Sequence, residues 1–243
     1  MRMTVLTRED AGVALISAHR CGAGDDPAGE NGLHALEHSV ALGVDYVEFD
    51  VRRLPGAGLV VSHDVPGEGV EMLPYETLLE RLAGRAGAHI DLKTAGIEVE
   101  AATIALGWLL PEQLLFTTAS VPGARRLREW ADVHAPDIRV GLSTGSSLDL
   151  RRPWTALGSL RRQLFPWRRY AEARADVLCA HHVLSAITLR ALARRRGLDL
   201  LVWTVDDARL LRWWVRPGRA WMVTTNHPAR AREIQDLAAR RTR

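Results

Sequence analysis

Short apolar runs in this chain end repeatedly in side chains that can move protons or hold cations. His19 and Arg20 follow the run Val13–His19, and Glu48 and Asp50 lie two positions apart, on one face of the extended segment Asp45–Val51. His63 and Asp64 end the run Leu59–His63, and Asp91 and Lys93 share one face of His89–Lys93. Gathered together, three carboxylates would leave two of their number protonated unless a positive charge sat among them. A hard divalent cation with oxygen ligands meets that demand better than zinc, for which the chain has no Cys/His spacing. Histidines that titrate near neutrality suit proton transfer in both directions. Singly, each feature has a plainer reading: Glu48-x-Asp50 as a solvated edge, His63 as a surface histidine, Arg20 as an ion-pair partner. Their shared place at the ends of consecutive runs is what points to a site. Lys93 is also the only lysine among 32 basic residues, and a compact ammonium fits tight sites where a guanidinium fork does not.

Such a site needs strands that all end on one side. Strand-like runs at Val13–His19, Asp45–Val51, His89–Lys93, Leu114–Thr118, Ile138–Ser143, Asp176–Ala180, Leu200–Val205 and Trp221–Thr225 alternate with helical patterns. The helical patterns fall at Gly32–Leu42, Pro74–Leu82, Ile97–Leu109, about Pro122–Val133, Ser185–Arg196 and around Asp207–Val215. This alternation predicts an α/β fold with eight parallel strands, a single (β/α)8 TIM barrel formed by one domain over residues 1–243, with functional groups at the C-terminal strand ends. The run Leu59–His63 is the exception, because the connection Arg52–Gly58 is too short for a parallel crossover and reads as a hairpin. A turn centred between Gly56 and Ala57 would set His63 opposite Asp50. An open doubly wound sheet is the other architecture of this pattern, but no glycine-rich βα fingerprint accompanies it.

Composition narrows the classes further. The chain has 243 residues, 47% hydrophobic and 25% charged, which suits a folded domain and is too apolar for a disordered one. No apolar run reaches the length of a membrane span, and the N-terminus lacks an apolar signal region. Two cysteines, Cys21 and Cys179, make no disulfide framework, which fits a cytoplasmic setting. A net charge of +3 does not itself call for nucleic acid as a partner.

Read in order, Ala18-His19-Arg20, Glu30-Asn31, Glu48-Phe49-Asp50-Val51 and His63-Asp64 resemble the N-terminal signature of the glycerophosphodiester phosphodiesterases. The likeness continues through Ile90-Asp91-Leu92-Lys93, Trp203-Thr204-Val205 and Thr225-Asn226-His227-Pro228. More distantly, the chain is similar to the phospholipase D-like toxins and the phosphatidylinositol-specific phospholipases C. The resemblance implies a (β/α)8 barrel in which Glu48, Asp50 and Asp91 hold one divalent metal, Mg2+ or Ca2+. It implies His19 and His63 as the acid/base pair, Arg20 and Lys93 on the phosphate oxygens, Trp203 against substrate and Glu30 in the outer shell. In the family, a substrate hydroxyl attacks first, and water then opens the cyclic phosphate.

Several positions depart from the family pattern. Cys21 stands where the family has glycine after His-Arg and reads either as a lining residue of the site or as a small buried side chain. Glu30 could serve the site or help begin the first helix, with Asn31 as its N-cap. Asp91 replaces the usual Glu, shortening that arm by a methylene, and Asn226 replaces the usual Asp. Val65–Leu73 runs quickly into a helix where the family often inserts a small lobe, leaving the mouth open to a larger alcohol or a lipid. Arg151–Arg174 interleaves arginine with Trp154, Trp167 and several leucines, a pattern that suits either an anionic membrane surface or a loop and helix over the barrel. Three functions are therefore in play: hydrolysis of glycerophosphodiesters, a lysophospholipase D-like activity on lipid diesters, and phosphoester binding by a barrel that has lost turnover.

Overall fold

The computed structural model describes residues 12–67, 70, 72–144 and 166–241. Eight parallel strands close into a TIM barrel: β1 (Leu15–Ala18), β2 (Tyr46–Leu54), β5 (Gly87–Leu92), β6 (Leu114–Thr118), β7 (Arg139–Ser143), β8 (Val177–His181), β9 (Asp199–Trp203) and β10 (Met222–Thr225). Closure comes from β1, which pairs in parallel with both β10 and β2. Helices α1 (Leu33–Ala41), α2 (Tyr75–Leu82), α3 (Glu98–Ala105), α4 (Val121–His134), α5 (Trp167–Ala173), α6 (Arg190–Arg196), α7 (Ala208–Trp214) and α8 (Pro228–Arg241) lie between or after the strands. Both faces of each barrel strand are covered, which is why runs such as Leu114–Thr118 are buried throughout.

Two apolar layers hold this arrangement. The larger lies between strands and helices and includes Ile16, Val47, Phe49, Leu78, Ile90, Phe116 and Leu127. The smaller fills the inside of the barrel with Leu15, Tyr46, Leu115, Val177, Cys179, Leu201 and Met222, with Trp203 and Trp221 packed on it. Along several strands the inward positions then turn polar: Leu15 gives way to Ser17, Tyr46 to Glu48 and Asp50, and Leu115 to Thr117. The apolar plug thus leaves the C-terminal mouth for chemistry.

The excursion after β2 is a hairpin, β2 with β3 (Gly58–Val61), but its register differs by one residue from the predicted one. Leu54 pairs with Gly58 and Val51 with Val61, so the turn centres on Gly56, and Ser62 rather than His63 comes opposite Asp50, donating its N–H to the Asp50 carbonyl at 2.9 Å. Gly56 and Gly58 adopt φ of +77° and +76°, the left-handed region that a three-residue hairpin loop uses. A short strand β4 (Leu73–Pro74) pairs antiparallel with β3, a pairing too brief to leave a sequence pattern. The predicted helix over 185–196 is entered through a turn at His182–Leu184 and a π turn at Ser185–Leu189. Sequence patterning assigns nothing after Thr225, where α8 forms; its buried Gln235 donates to Ala14 O at 2.9 Å and Asp45 Oδ2 at 2.8 Å, anchoring the helix across the barrel. Most of the stretch Arg151–Arg174 lies outside the described residues; its last part forms α5.

Candidate active site

β2 and β5 are parallel neighbours in a register that sets Asp50 beside Asp91, with Glu48 one inward position below. Glu48, Asp50 and Asp91 each present a carboxylate oxygen, and these oxygens lie within 4.8 Å of one another. Glu48 and Asp50 are 4% and 1% exposed, so the trio has little water to disperse its charge. Burial, then the charges of Asp50 and Asp91, push the Glu48 carboxyl well above its ordinary range, against the backbone N–H of Arg20 that donates to Oε2 at 2.6 Å. Burial pushes Asp50 up too, but the ammonium of Lys93 at 2.9 Å from Oδ1 and the Asn31 amide at 2.9 Å from Oδ2 outweigh it and hold it low. Burial disfavours charge on Lys93, yet Asp91 and Asp50 prevail and hold its ammonium above the usual lysine range. Arg20 is nearby, Nε 3.5 Å from Asp50 Oδ2, but its Nη1 donates to Glu30 Oε2 at 2.6 Å, so that pair neutralises itself. With Glu48 ionised, three carboxylates against one lysine would leave two negative charges, which the raised Glu48 carboxyl shows to be costly without a further cation, and the donors are all oxygen. That set fits a hard divalent cation.

Supporting groups fix the trio. Thr117 Oγ1 donates to Asp91 Oδ1 at 2.9 Å, and His89 Nε2 lies 3.2 Å from the same hydroxyl. Since Thr117 gives its only proton to the carboxylate, His89 Nε2 carries the hydrogen, and its Nδ1 accepts from Ser17 Oγ at 3.1 Å. Burial drives the His89 pKa down to about 3, so the imidazole is neutral. Asn31 is held to Asp50 by a second bond, from Asp50 N to Asn31 Oδ1 at 3.1 Å, with φ of +59° at Asn31. Asn31 is therefore not the predicted helix cap; Gly32 takes the N-cap position of α1, and the Asn31 side chain is spent on the carboxylate. Sequence reasoning misses the site roles of Ser17, Asn31, His89 and Thr117. For His89 a signal exists, since it lies two residues before Asp91 and hence on the same face.

The loop after β1 turns sharply over the trio. Arg20 and Cys21 adopt φ of +46° and +66°, and the turn brings the Arg20 N–H onto Glu48. Gly22 follows at φ +81°, where a Cβ would come within 2.3 Å of Ser39 Oγ. Cys21 is fully buried, and burial followed by Glu48 and Asp50 pushes its thiol up, so it packs as a neutral side chain. His19 stands at the mouth with Nδ1 2.7 Å from Asn226 Oδ1 and Nε2 4.0 Å from Glu48 Oε2. Burial lowers its pKa, against the Asn226 hydrogen bond that works the other way. His63 is half-buried, with Nδ1 3.0 Å from Asp64 Oδ1, and its charge contributes to holding Asp50 low. Trp203 is half-buried at the end of β9 and meets the His181 ring edge-on, with centroids 5.8 Å apart. The structure thus joins His19, Arg20, Glu30, Glu48, Asp50, Asp91 and Lys93 in one network. His63 lies near it, and Trp203 packs with His181 and the inner core.

Solved structures share this fold over almost the whole chain. A phosphodiesterase from Oleispira antarctica, in complex with the product sn-glycerol-3-phosphate, is 18% identical with a TM-score of 0.69, covering 92% of this chain and 97% of that one. Glycerophosphodiester phosphodiesterases from Parabacteroides distasonis (19% identity, 95% and 98% covered, TM-score 0.66) and Agrobacterium tumefaciens (20%, 92% and 99%, 0.63) are similar in the same way. No curated protein sequence matches the chain. The site just described lies at the C-terminal mouth of the barrel fold that these structures share. Residues 19–104, which carry His19 through Lys93, match the family model of the Glycerophosphoryl diester phosphodiesterase family.

Proposed function

We propose that the protein hydrolyses glycerophosphodiesters to glycerol 3-phosphate and an alcohol. The observation that carries this reading is the buried trio of carboxyl groups of Glu48, Asp50 and Asp91, their oxygens within 4.8 Å of one another, beside an imidazole nitrogen of His19. In this reading the trio would hold one Mg2+ or Ca2+, which supplies positive charge to offset the charge that grows on phosphate oxygens. Lys93 spends two of its three N–H donors on Asp50 and Asp91, and the third, with the outer donors of Arg20, orients the phosphate. His19 and His63 move protons. One imidazole takes the proton of the glycerol hydroxyl as its oxygen bonds to phosphorus, and the other protonates the departing alkoxide as the phosphorus–oxygen ester bond breaks. Water then opens the cyclic phosphate with the two roles exchanged, and each histidine returns to its starting state. Trp203 would bound the alcohol side of the mouth, and Glu30 would hold Arg20 in place.

A second reading, a lysophospholipase D-like activity on lipid diesters, is favoured by the exposed Val65 and Val70 in the short segment after His63 and by Val183 and Ile187 after β8. The arginine- and tryptophan-bearing stretch Arg151–Arg174 would add attraction to anionic lipid. Among the described residues no helix is long and apolar enough to cross a membrane. Both cysteines are free and buried, in keeping with a cytoplasmic setting for a single-domain protein. Turnover of glycerophosphocholine and of lysophosphatidylcholine, each with Mg2+, Ca2+ or EDTA, separates the readings. Metal-dependent release of glycerol 3-phosphate from the first supports the leading one. Preference for the second substrate, with salt-sensitive pelleting on anionic vesicles, supports the lipid reading. Turnover of neither with any metal would leave a binding barrel.

A further inference from the structure

The reading of His19 as a proton carrier leaves open what decides which of its nitrogens is free, and the answer begins at Asp206, outside the motif residues of the resemblance. Asn226, at the end of β10, donates through Nδ2 to Asp206 Oδ2 at 2.9 Å, while its Oδ1 lies 2.7 Å from His19 Nδ1. Asp206 follows the Trp203-Thr204-Val205 segment after β9. Its Oδ1 accepts from Asn226 N at 2.8 Å and from Thr225 Oγ1 at 3.0 Å, and Arg230 Nη1 donates to its backbone oxygen at 2.9 Å. An ionised carboxylate only accepts hydrogen bonds, so Asp206 forces the Asn226 amide to turn its nitrogen inward and its oxygen toward His19. Asn226 Oδ1 can in turn only accept, which puts the hydrogen of His19 on Nδ1. Nε2, the nitrogen that faces Glu48, is left with its lone pair.

We propose that Asp206 is a positioning residue that, through Asn226, sets the His19 tautomer and thereby leaves Nε2 free to take the substrate proton. This rests on the proposed phosphodiesterase reading only in its last clause, since the tautomer is a property of the protein alone. The pattern also accounts for asparagine at position 226: an aspartate there would meet Asp206 carboxylate to carboxylate. An exchange of the two side chains keeps every bond. An amide at position 206 would accept from the backbone N–H of residue 226 and from Thr225, and would donate to a carboxylate at position 226. That carboxylate would in turn accept from His19 Nδ1.

The test is a set of three variants, D206N, N226D and the exchange D206N/N226D, in chelator-treated protein labelled with 15N-histidine. His19 signals are assigned by their loss in His19→Gln, and two-bond 1H–15N correlations report which nitrogen carries the hydrogen. The wild type should show hydrogen on Nδ1. D206N, whose new amide nitrogen faces that of Asn226, should flip Asn226 and move the hydrogen to Nε2, with kcat on glycerophosphocholine falling by about 10²–10⁴-fold, the worth of a general base. N226D should also lose activity, and the exchange variant should restore both the Nδ1–H signature and most of the lost kcat. Retention of Nδ1–H in D206N, or loss of activity there with the tautomer unchanged, overturns the proposal. If D206N does not fold, the exchange variant decides, and an Nε2–H signature in it is equally fatal. A wild type with no phosphodiesterase activity but with the expected tautomer changes would sink the proposed function and leave the role of Asp206 standing.

Discussion

His89 lies beneath the acid trio, fully buried and neutral, and this makes the protein's stability depend on pH in a calculable way. In the unfolded chain a histidine titrates near 6.5, whereas in the folded protein burial lowers His89 to about 3. Between these values the unfolded state binds the extra proton, so stability rises with pH. The contribution is complete above pH 6.5 and is lost as pH falls toward 3. Each unit of this window is worth about 1.4 kcal/mol, so lowering the pH from about 7.5 to about 4.5 should remove about 2–3 kcal/mol through this one ring. His89→Gln has no titrating group and retains an amide donor for Thr117. Urea unfolding followed by tryptophan fluorescence, in EDTA across that range, should give a wild-type curve steeper than the variant's by that amount. Parallel curves would show that His89 protonates without cost, and the neutral chain Ser17–His89–Thr117–Asp91 would have to be abandoned.

Other side chains give separate tests. Thr117→Val removes the hydroxyl that donates to Asp91 and should weaken divalent-cation binding about 10–100-fold, the usual cost of losing an outer-shell partner, measured by calorimetry. Asn31→Ala strips two bonds from Asp50 and leaves a left-handed backbone without asparagine; it should cost about 3 kcal/mol of unfolding free energy and lower cation affinity. Gly22→Ala places a methyl against Ser39 in a left-handed turn, and a fall in melting temperature of several degrees, from about 2 kcal/mol of strain, is expected by calorimetric scan. His19→Ala and His63→Ala should each reduce kcat on glycerophosphocholine by about 10²–10⁴-fold with the fold intact by circular dichroism.

The strands and their polar ends are legible in the sequence because the physics behind them is local. A barrel strand buried on both faces reads as an apolar run, and a two-residue period puts Glu48 with Asp50, and Asp91 with Lys93, on one face. The one-residue register difference at the hairpin is not legible, because a loop containing Pro55, Gly56 and Ala57 accommodates either turn centre until the strands pair, with Gly56 and Gly58 both at positive φ. Asn31 misleads for a related reason: asparagine before a helix looks like a cap, and only the approach of β2 shows that its amide serves Asp50 instead. Asp206 and Thr117 lie 20 and 26 residues from Asn226 and Asp91, so their bonds exist only once the neighbouring strands have paired. The helix α8 escapes notice because arginines crowd its few apolar positions; Ala231 and Ile234 pack on the core, and the buried Gln235 adds hydrogen bonds to the barrel.

The proposed chemistry requires that Glu48, Asp50 and Asp91 together bind a divalent cation. Calorimetric titration of Mg2+ and Ca2+ into chelator-treated protein, alongside Glu48→Gln and Asp91→Asn, measures this directly. One ion per chain, with affinity reduced at least about tenfold in both variants, is the result expected when a ligand is lost. No saturable binding at millimolar cation, or affinity unchanged in the two variants, would contradict it.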